Sequence, residues 1–164
     1  PIPSRGLGDV YKRQDFDDAA KAHEIIMNGS IANSLINYYQ IDKSNLHPFT
    51  VKRIEAGIPV SASDYVSAIE QAKKMEQILK QFFKKYDAII TPAAPGQAPR
   101  DLMNTGNAIF NGYWTMMGVP AISLPFLKGK DDLPIGIQFI ANWSEDLKLL
   151  EICKYILEKE KLAN

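Results

Sequence analysis

The chain has 164 residues, 46% of them hydrophobic and 23% charged, with 19 Lys+Arg against 19 Asp+Glu. That is the composition of one ordinary globular domain, and cancelled charge offers no field to draw nucleic acid or an anionic membrane, so neither is an expected partner. Apolar runs such as "AII" and "FIA" are far too short to span a bilayer, and the single cysteine, Cys153, excludes an internal disulfide framework and a thiolate metal cage, which makes a reducing, cytoplasmic compartment the default.

Residues 1–14, "PIPSRGLGDVYKRQ", have no apolar signal-type core and no periodic face. They resemble a translated adaptor and are expected to be a non-native leader, leaving 15–164 as the folded part. Asp15 and Asp18 ahead of "AAKAHEII" predict a helix start. "NGS" at 28–30 is expected to break that helix, and "IANSLINYYQI" to form a second. His47-Pro48 opens a turn or helix ending near Gly57. Over residues 61–86, Ser61 with Asp64 marks a helix start, and Tyr65, Ile69, Ala72, Met75, Leu79, Phe82 and Phe83 recur as one buried stripe. Lys80, Lys84 and Lys85 sit where the helix dipole favours cations.

"DAIITP" reads as a short buried strand, followed by a Pro/Ala/Gly-rich loop, "AAPGQAPRDLMNTG", long enough to point to a binding role. A helix is predicted from near Thr105, with Ile109, Phe110, Tyr113, Trp114 and Met117 on its apolar face, Gly118 in the left-handed position after it and Pro120 ending it. "AISLP" is a strand, "LKGKDDLP" a solvated turn containing Asp131 and Asp132, and "IGIQFI" a second strand with bulky groups at 135, 137 and 139. A last helix buries Leu149, Leu150, Cys153, Ile156 and Leu157. Helices and strands alternate, so the fold class is α/β.

No complete catalytic constellation appears. Nothing places His23 or His47 beside a serine, so both read as structural or solvent-facing. "DFDD" at 15–18 lacks a further ligand in metal spacing and reads as helix-capping acids. Cys153 reads as inert core, and Ser123 as a hydroxyl without a base. No metal and no cofactor is expected.

"YDAIITPAAPGQAP", "NAIFNGYWTMMGVPAISLPF" and "DLPIGIQFIANWSEDLKLL", in that order, resemble the C-terminal part of the amidase signature family, and "AGIPVSASDYVSAIEQ" resembles the helix start before them. The resemblance implies an α/β/α sandwich around a mixed β-sheet, of which this chain is the incomplete C-terminal part. It also implies carboxamide C–N hydrolysis by a serine, a second serine in a cis peptide and a lysine, carried on a glycine-serine-rich segment that this chain lacks. No catalytic role therefore carries over. On this reading Asn107, Phe110 and Trp114 line or border the pocket for a small-molecule amide, with the two aromatics as plain core the equal alternative. The fragment alone is expected to be inactive, and a homodimer is left open. The glutamine-using A-type subunits of glutamyl-tRNA amidotransferase carry an aspartate two residues before the phenylalanine, where this chain has Ala108. That argues for a neutral or aromatic amide. Arg53 aligns loosely with a basic residue holding glutamine's carboxylate in those proteins. The alternatives are such an amidotransferase subunit, or a free-standing binding or structural domain.

Overall fold

A computed structural model describes residues 13–101 and 104–163. The chain divides into two units, Pro1–Ile78 and Leu79–Asn164. Residues 1–12 of the expected leader lie outside the described residues, and the first helix already includes Arg13 and Gln14.

In the first unit, α1 runs unbroken over Arg13–Asp42, so the helix starts ahead of the acidic pair predicted to open it and the expected break at 28–30 does not occur. Gly29 costs a helix roughly 1 kcal/mol relative to alanine. Here it clears room for a ring: a Cβ at 29 would stand 3.0 Å from Tyr65 Cδ2, and the Tyr65 hydroxyl lies 3.0 Å from Ser30 Oγ. Local propensity yields to a tertiary contact. A 3-10 turn, Lys43–Asn45, leads to α2, Pro48–Gly57. Pro48 fits the first helical turn, and His47 Nδ1 accepts the Phe49 N–H at 3.2 Å. Ile54 is fully buried.

α3 spans Ala62–Phe82. Ser61 and Asp64 form the predicted cap, with Asp64 N donating to Ser61 Oγ at 3.0 Å and Ser61 Oγ donating to Asp64 Oδ2 at 2.6 Å. Within the stripe Met75 and Leu79 are buried and the others partly so. The helix stops at Phe82, and Lys84 and Lys85 fall in the turn beyond it.

In the second unit, β1 (Ile89–Pro92), β2 (Ala121–Lys128) and β3 (Pro134–Ile140) form a sheet in the order β1-β3-β2. Both pairings are antiparallel, whereas the sequence resemblance implied a mixed sheet; no described strand has a parallel neighbour. β1 is not buried as expected, since Ile90 is 62% exposed. β2 runs past "AISLP" to Lys128, with an irregularity between Leu124 and Leu127 that holds Pro125. Proline has no N–H to give a ladder, so an edge strand at a bulge is where a sheet tolerates it.

The core packs β2 and β3 on α5 (Asp146–Ala163): Leu124, Phe139, Ala141, Leu149 and Cys153 are buried, with Ile122, Phe126, Ile137, Ile156 and Leu157 packed against them. The Phe126 and Phe139 rings meet edge to face at 6.1 Å. Leu150, expected inside, is 56% exposed; it lies one residue past Leu149, which takes the inward position.

α4 covers only Gly112–Met117, not the stretch from Thr105. Asparagine side chains compete with the helical ladder for local N–H groups. Asn104 Oδ1 accepts from Gly106 N at 2.9 Å and Asn107 Oδ1 from Ile109 N at 3.0 Å, and Gly106 has φ +83°, so the segment turns twice before it coils. Ile109, placed on the apolar face by the sequence, is consequently exposed. Gly118, with φ 66°, occupies the predicted left-handed position.

Candidate functional site

The chemistry-bearing sequence motifs converge on one place in the second unit. Cross-strand register sets Thr91 of β1 and Ser123 of β2 on either side of Gln138 of β3. Residues directly opposite one another share a sheet face, so the three form a polar row across the sheet. Gly136 leaves room beside it: a Cβ there would displace the Ser123 hydroxyl and press on Ala93 Cβ at 3.0 Å. The Gly136 carbonyl accepts the Ala93 N–H at 2.9 Å and starts the chain out of β1.

Gln138 is 3% exposed and is the row's working member. Its Nε2 donates to Thr91 Oγ1 at 2.8 Å, to the Pro92 carbonyl at 3.0 Å and to the Phe110 carbonyl at 3.0 Å. Two carbonyl acceptors fix which way the amide faces, since the reverse orientation would set oxygen against oxygen. Asn111 Nδ2 adds a bond to the Ala93 carbonyl at 3.2 Å. The end of β1 and the entry to α4 are thereby tied to each other and to β3.

The 93–101 part of the connector has a second anchor. Arg100 Nη2 lies 2.6 Å from Asp131 Oδ1, Gln97 Nε2 donates to Asp131 Oδ2, and Asp131 N donates to Gln97 Oε1 at 3.0 Å. The turn expected to be merely solvated is therefore half clasp: Asp131 grips the loop, while exposed Asp132 pairs with Lys128. The Arg100 guanidinium, with Gln97 assisting, holds the Asp131 carboxyl below its ordinary pKa.

Of the three residues predicted to border a pocket, Phe110 and Trp114 stand at the entry and within α4. Phe110 is half-buried and Trp114 buried. Asn107 lies apart on the exposed turn, its side chain committed to Ile109 N. The Trp114 indole N–H is enclosed without a hydrogen-bond partner, whereas Trp143 Nε1 donates to the Met117 carbonyl at 2.7 Å. Ala108 is exposed, and its carbonyl accepts from Asn111 N at 2.9 Å and Gly112 N at 3.2 Å.

Gln138 is the residue that sequence reasoning missed. The alternation of bulky groups at 135, 137 and 139 drew attention to one face of β3; the signal on the other was a lone amide in the apolar run "IGIQFI". A polar side chain there has to find partners.

In the first unit Arg53 is already engaged. Nη1 donates to Asn28 Oδ1 at 3.1 Å, lies 3.7 Å from Glu24 Oε1, and the guanidinium covers the Phe49 ring at 5.1 Å. His23 is a structural neighbour of this cluster: burial first, then the Arg53 charge, lowers its pKa, against a smaller pull from Glu24. Cys153 is buried, and desolvation raises its pKa, which suits inert core. Among the described residues no group of three or more His, Cys, Asp or Glu could hold a metal ion, and no helix is long and apolar enough to cross a membrane.

Comparison with known proteins gives this geometry a context. The amidase family model matches residues 6–150. The chain is 36% identical over 111 residues to the A-type subunit of glutamyl-tRNA(Gln) amidotransferase from Aliarcobacter butzleri (strain RM4018), covering 61% of this chain and 24% of that protein. It is 35% identical over 98 residues to a fatty acid amide hydrolase of Medicago truncatula, covering 52% of this chain and 16% of that protein. A solved amidase structure superposes with a TM-score of 0.80 at 19% identity, covering 88% of this chain and 36% of that one. The chain thus spans about a quarter of the length of its amidotransferase relatives.

Proposed function

Because the chain belongs to the amidase signature family, we propose that it is the C-terminal part of a cytoplasmic hydrolase that cleaves a carboxamide to acid and ammonia through an acyl-enzyme. The serine, cis-serine and lysine of that chemistry belong to a preceding segment, and residues 15–164 alone do not turn amides over. This part supplies one wall of the pocket, with Phe110 and Trp114 as apolar surface and Asn107 at its rim. The single observation that carries the reading is the convergence of Thr91, Phe110, Ser123, Gly136 and Gln138, which unites the family-like motifs on one face of the sheet beside the entry to α4.

The substrate class follows from charge. Glutamine presents an ammonium, which needs a carboxylate partner. Position 108 is alanine, and Arg53 already holds Asn28 and Glu24. A neutral or aromatic small-molecule amide fits better, with no nucleic acid or membrane as partner and a homodimer as the assembly to test. The second reading, the glutamine-using subunit of an amidotransferase, is favoured by the 36% identity to such a protein over 111 residues.

The deciding experiment measures ammonia release from propionamide, benzamide and glutamine. It uses the 164-residue chain and the same chain joined to its upstream coding region. The first is expected to be silent and the second to hydrolyse the neutral amides. Turnover by the short chain alone would sink the division of labour, and glutamine as the sole substrate would establish the second reading.

A further inference from the structure

We infer that Gln138 is the positioning residue of the amide-facing wall: its side-chain amide, held inside the sheet, sets where Phe110 stands. The inference rests on the pocket reading for Phe110 but stands on separate geometry. Residues 93–109 contain no helix or strand among the described positions, so no ladder of their own fixes the approach to α4. Beside the Asn111 bond to the Ala93 carbonyl and the Asp131 clasp on Gln97 and Arg100, one buried donor ties its two ends together. Nε2 has two hydrogens and three acceptors within 3.0 Å, and the acceptors come from both ends of the connector: Thr91 and Pro92 where it leaves β1, Phe110 where it joins α4. The Thr91 hydroxyl, accepting from Gln138, lies 3.3 Å from the Pro92 carbonyl to which it donates. The three acceptors thus meet at one nitrogen.

The chemistry demands an amide at this position. A glutamate of the same shape would place a carboxylate oxygen about 3 Å from two carbonyl oxygens, which repels both. A methionine would fill the volume and leave the Phe110 carbonyl without its donor. Either change should release the connector near Phe110 without touching the packing of β2 and β3 on α5, which uses the opposite face of β3 through Phe139.

The test is amide hydrogen exchange on the full chain for wild type, Gln138→Glu and Gln138→Met. Both variants are expected to raise exchange about tenfold in residues 107–112 while Leu149–Leu157 of α5 stays at the wild-type rate. In Gln138→Glu the excess should shrink as falling pH protonates the carboxyl, because a neutral acid regains an O–H donor. A uniform rise across the second unit, or no pH dependence of the excess, would overturn the inference, since plain fold stabilisation predicts those results. Should the variants fail to fold, the wild-type Gln138 Nε2 protons decide: slow exchange and cross-relaxation to Phe110 and Thr91 support the assignment, and rapid exchange without it overturns it. If Phe110 never touches an amide, these outcomes are unaffected and only the substrate preference of a Phe110→Ala variant fails to change, so the two failures are separable.

Discussion

Gly57 of α2 lies against the backbone carbonyl of Asn28 in α1, so close that a Cβ would collide with that oxygen and with Ala32 Cβ. A backbone atom cannot swing aside as a long side chain can. Gly57→Ala is therefore expected to cost about 1–3 kcal/mol by overpacking, read as a lower urea midpoint. Gly29→Ala is the contrasting case. Its neighbour is the edge of the Tyr65 ring at 3.0 Å, which can yield, and alanine gains roughly 1 kcal/mol of helix propensity. That variant should stay close to wild type. A wild-type midpoint for Gly57→Ala would show that the α1–α2 crossing is looser than described.

The His23 imidazole gives the first unit a pH dependence. Burial and the Arg53 charge hold its folded pKa below the ordinary 6.5. Between the two values the unfolded state binds more protons than the folded one, so stability rises with pH through that window and levels off above it. Denaturation midpoints measured from about pH 5 to pH 8 should climb and then flatten. His23→Gln should remove the climb, and an unchanged slope in that variant would assign it to other groups.

The Asp131 clasp behaves with the opposite sign. Its folded pKa lies below the ordinary 3.8, so its contribution is present above that value and is lost as pH falls through the folded pKa. Asp131→Asn keeps the backbone N–H bond to Gln97 and removes the charge facing Arg100. Limited proteolysis is expected to cut residues 93–101 faster in this variant at neutral pH, with the difference closing only as pH falls through the folded pKa of Asp131, below the ordinary 3.8. Because the pair is at the surface, about 1 M salt should weaken the Arg100 half in wild type and leave the neutral Gln97 bond. Identical cutting of variant and wild type at neutral pH would show that the clasp does not restrain the loop.

The elements that sequence made legible are those whose pattern is local. Ser61 and Asp64 cap α3 as their spacing predicts, Gly118 takes the left-handed position, and Leu149, Cys153, Ile156 and Leu157 face the sheet. What failed was decided by partners far along the chain or by side-chain competition. Gly29 looked like a breaker because Tyr65, 36 positions later, is invisible to periodicity. The helix expected from Thr105 lost its first turns to Asn104 and Asn107. At the site the apolar groups were readable, while the glutamine that arranges them was not, since its three acceptors lie on three different residues, two at the end of β1 and one at the entry to α4.

Phe110 separates a pocket wall from plain core. Its ring is half-buried and its carbonyl is fixed by Gln138, so truncating the side chain leaves the backbone anchor in place. Phe110→Ala should cost about 1.5–3 kcal/mol of stability, less than a fully enclosed phenylalanine, because the ring already keeps part of its surface in water. If the ring also faces substrate, the chain joined to its upstream region should show a raised KM for benzamide with little change for propionamide. Contact between an apolar pocket and one substituent discriminates by about 10–200-fold, so the benzamide-to-propionamide ratio of kcat/KM is the quantity to follow. A stability loss with that ratio unchanged would assign Phe110 to the core and move the pocket wall elsewhere on the connector.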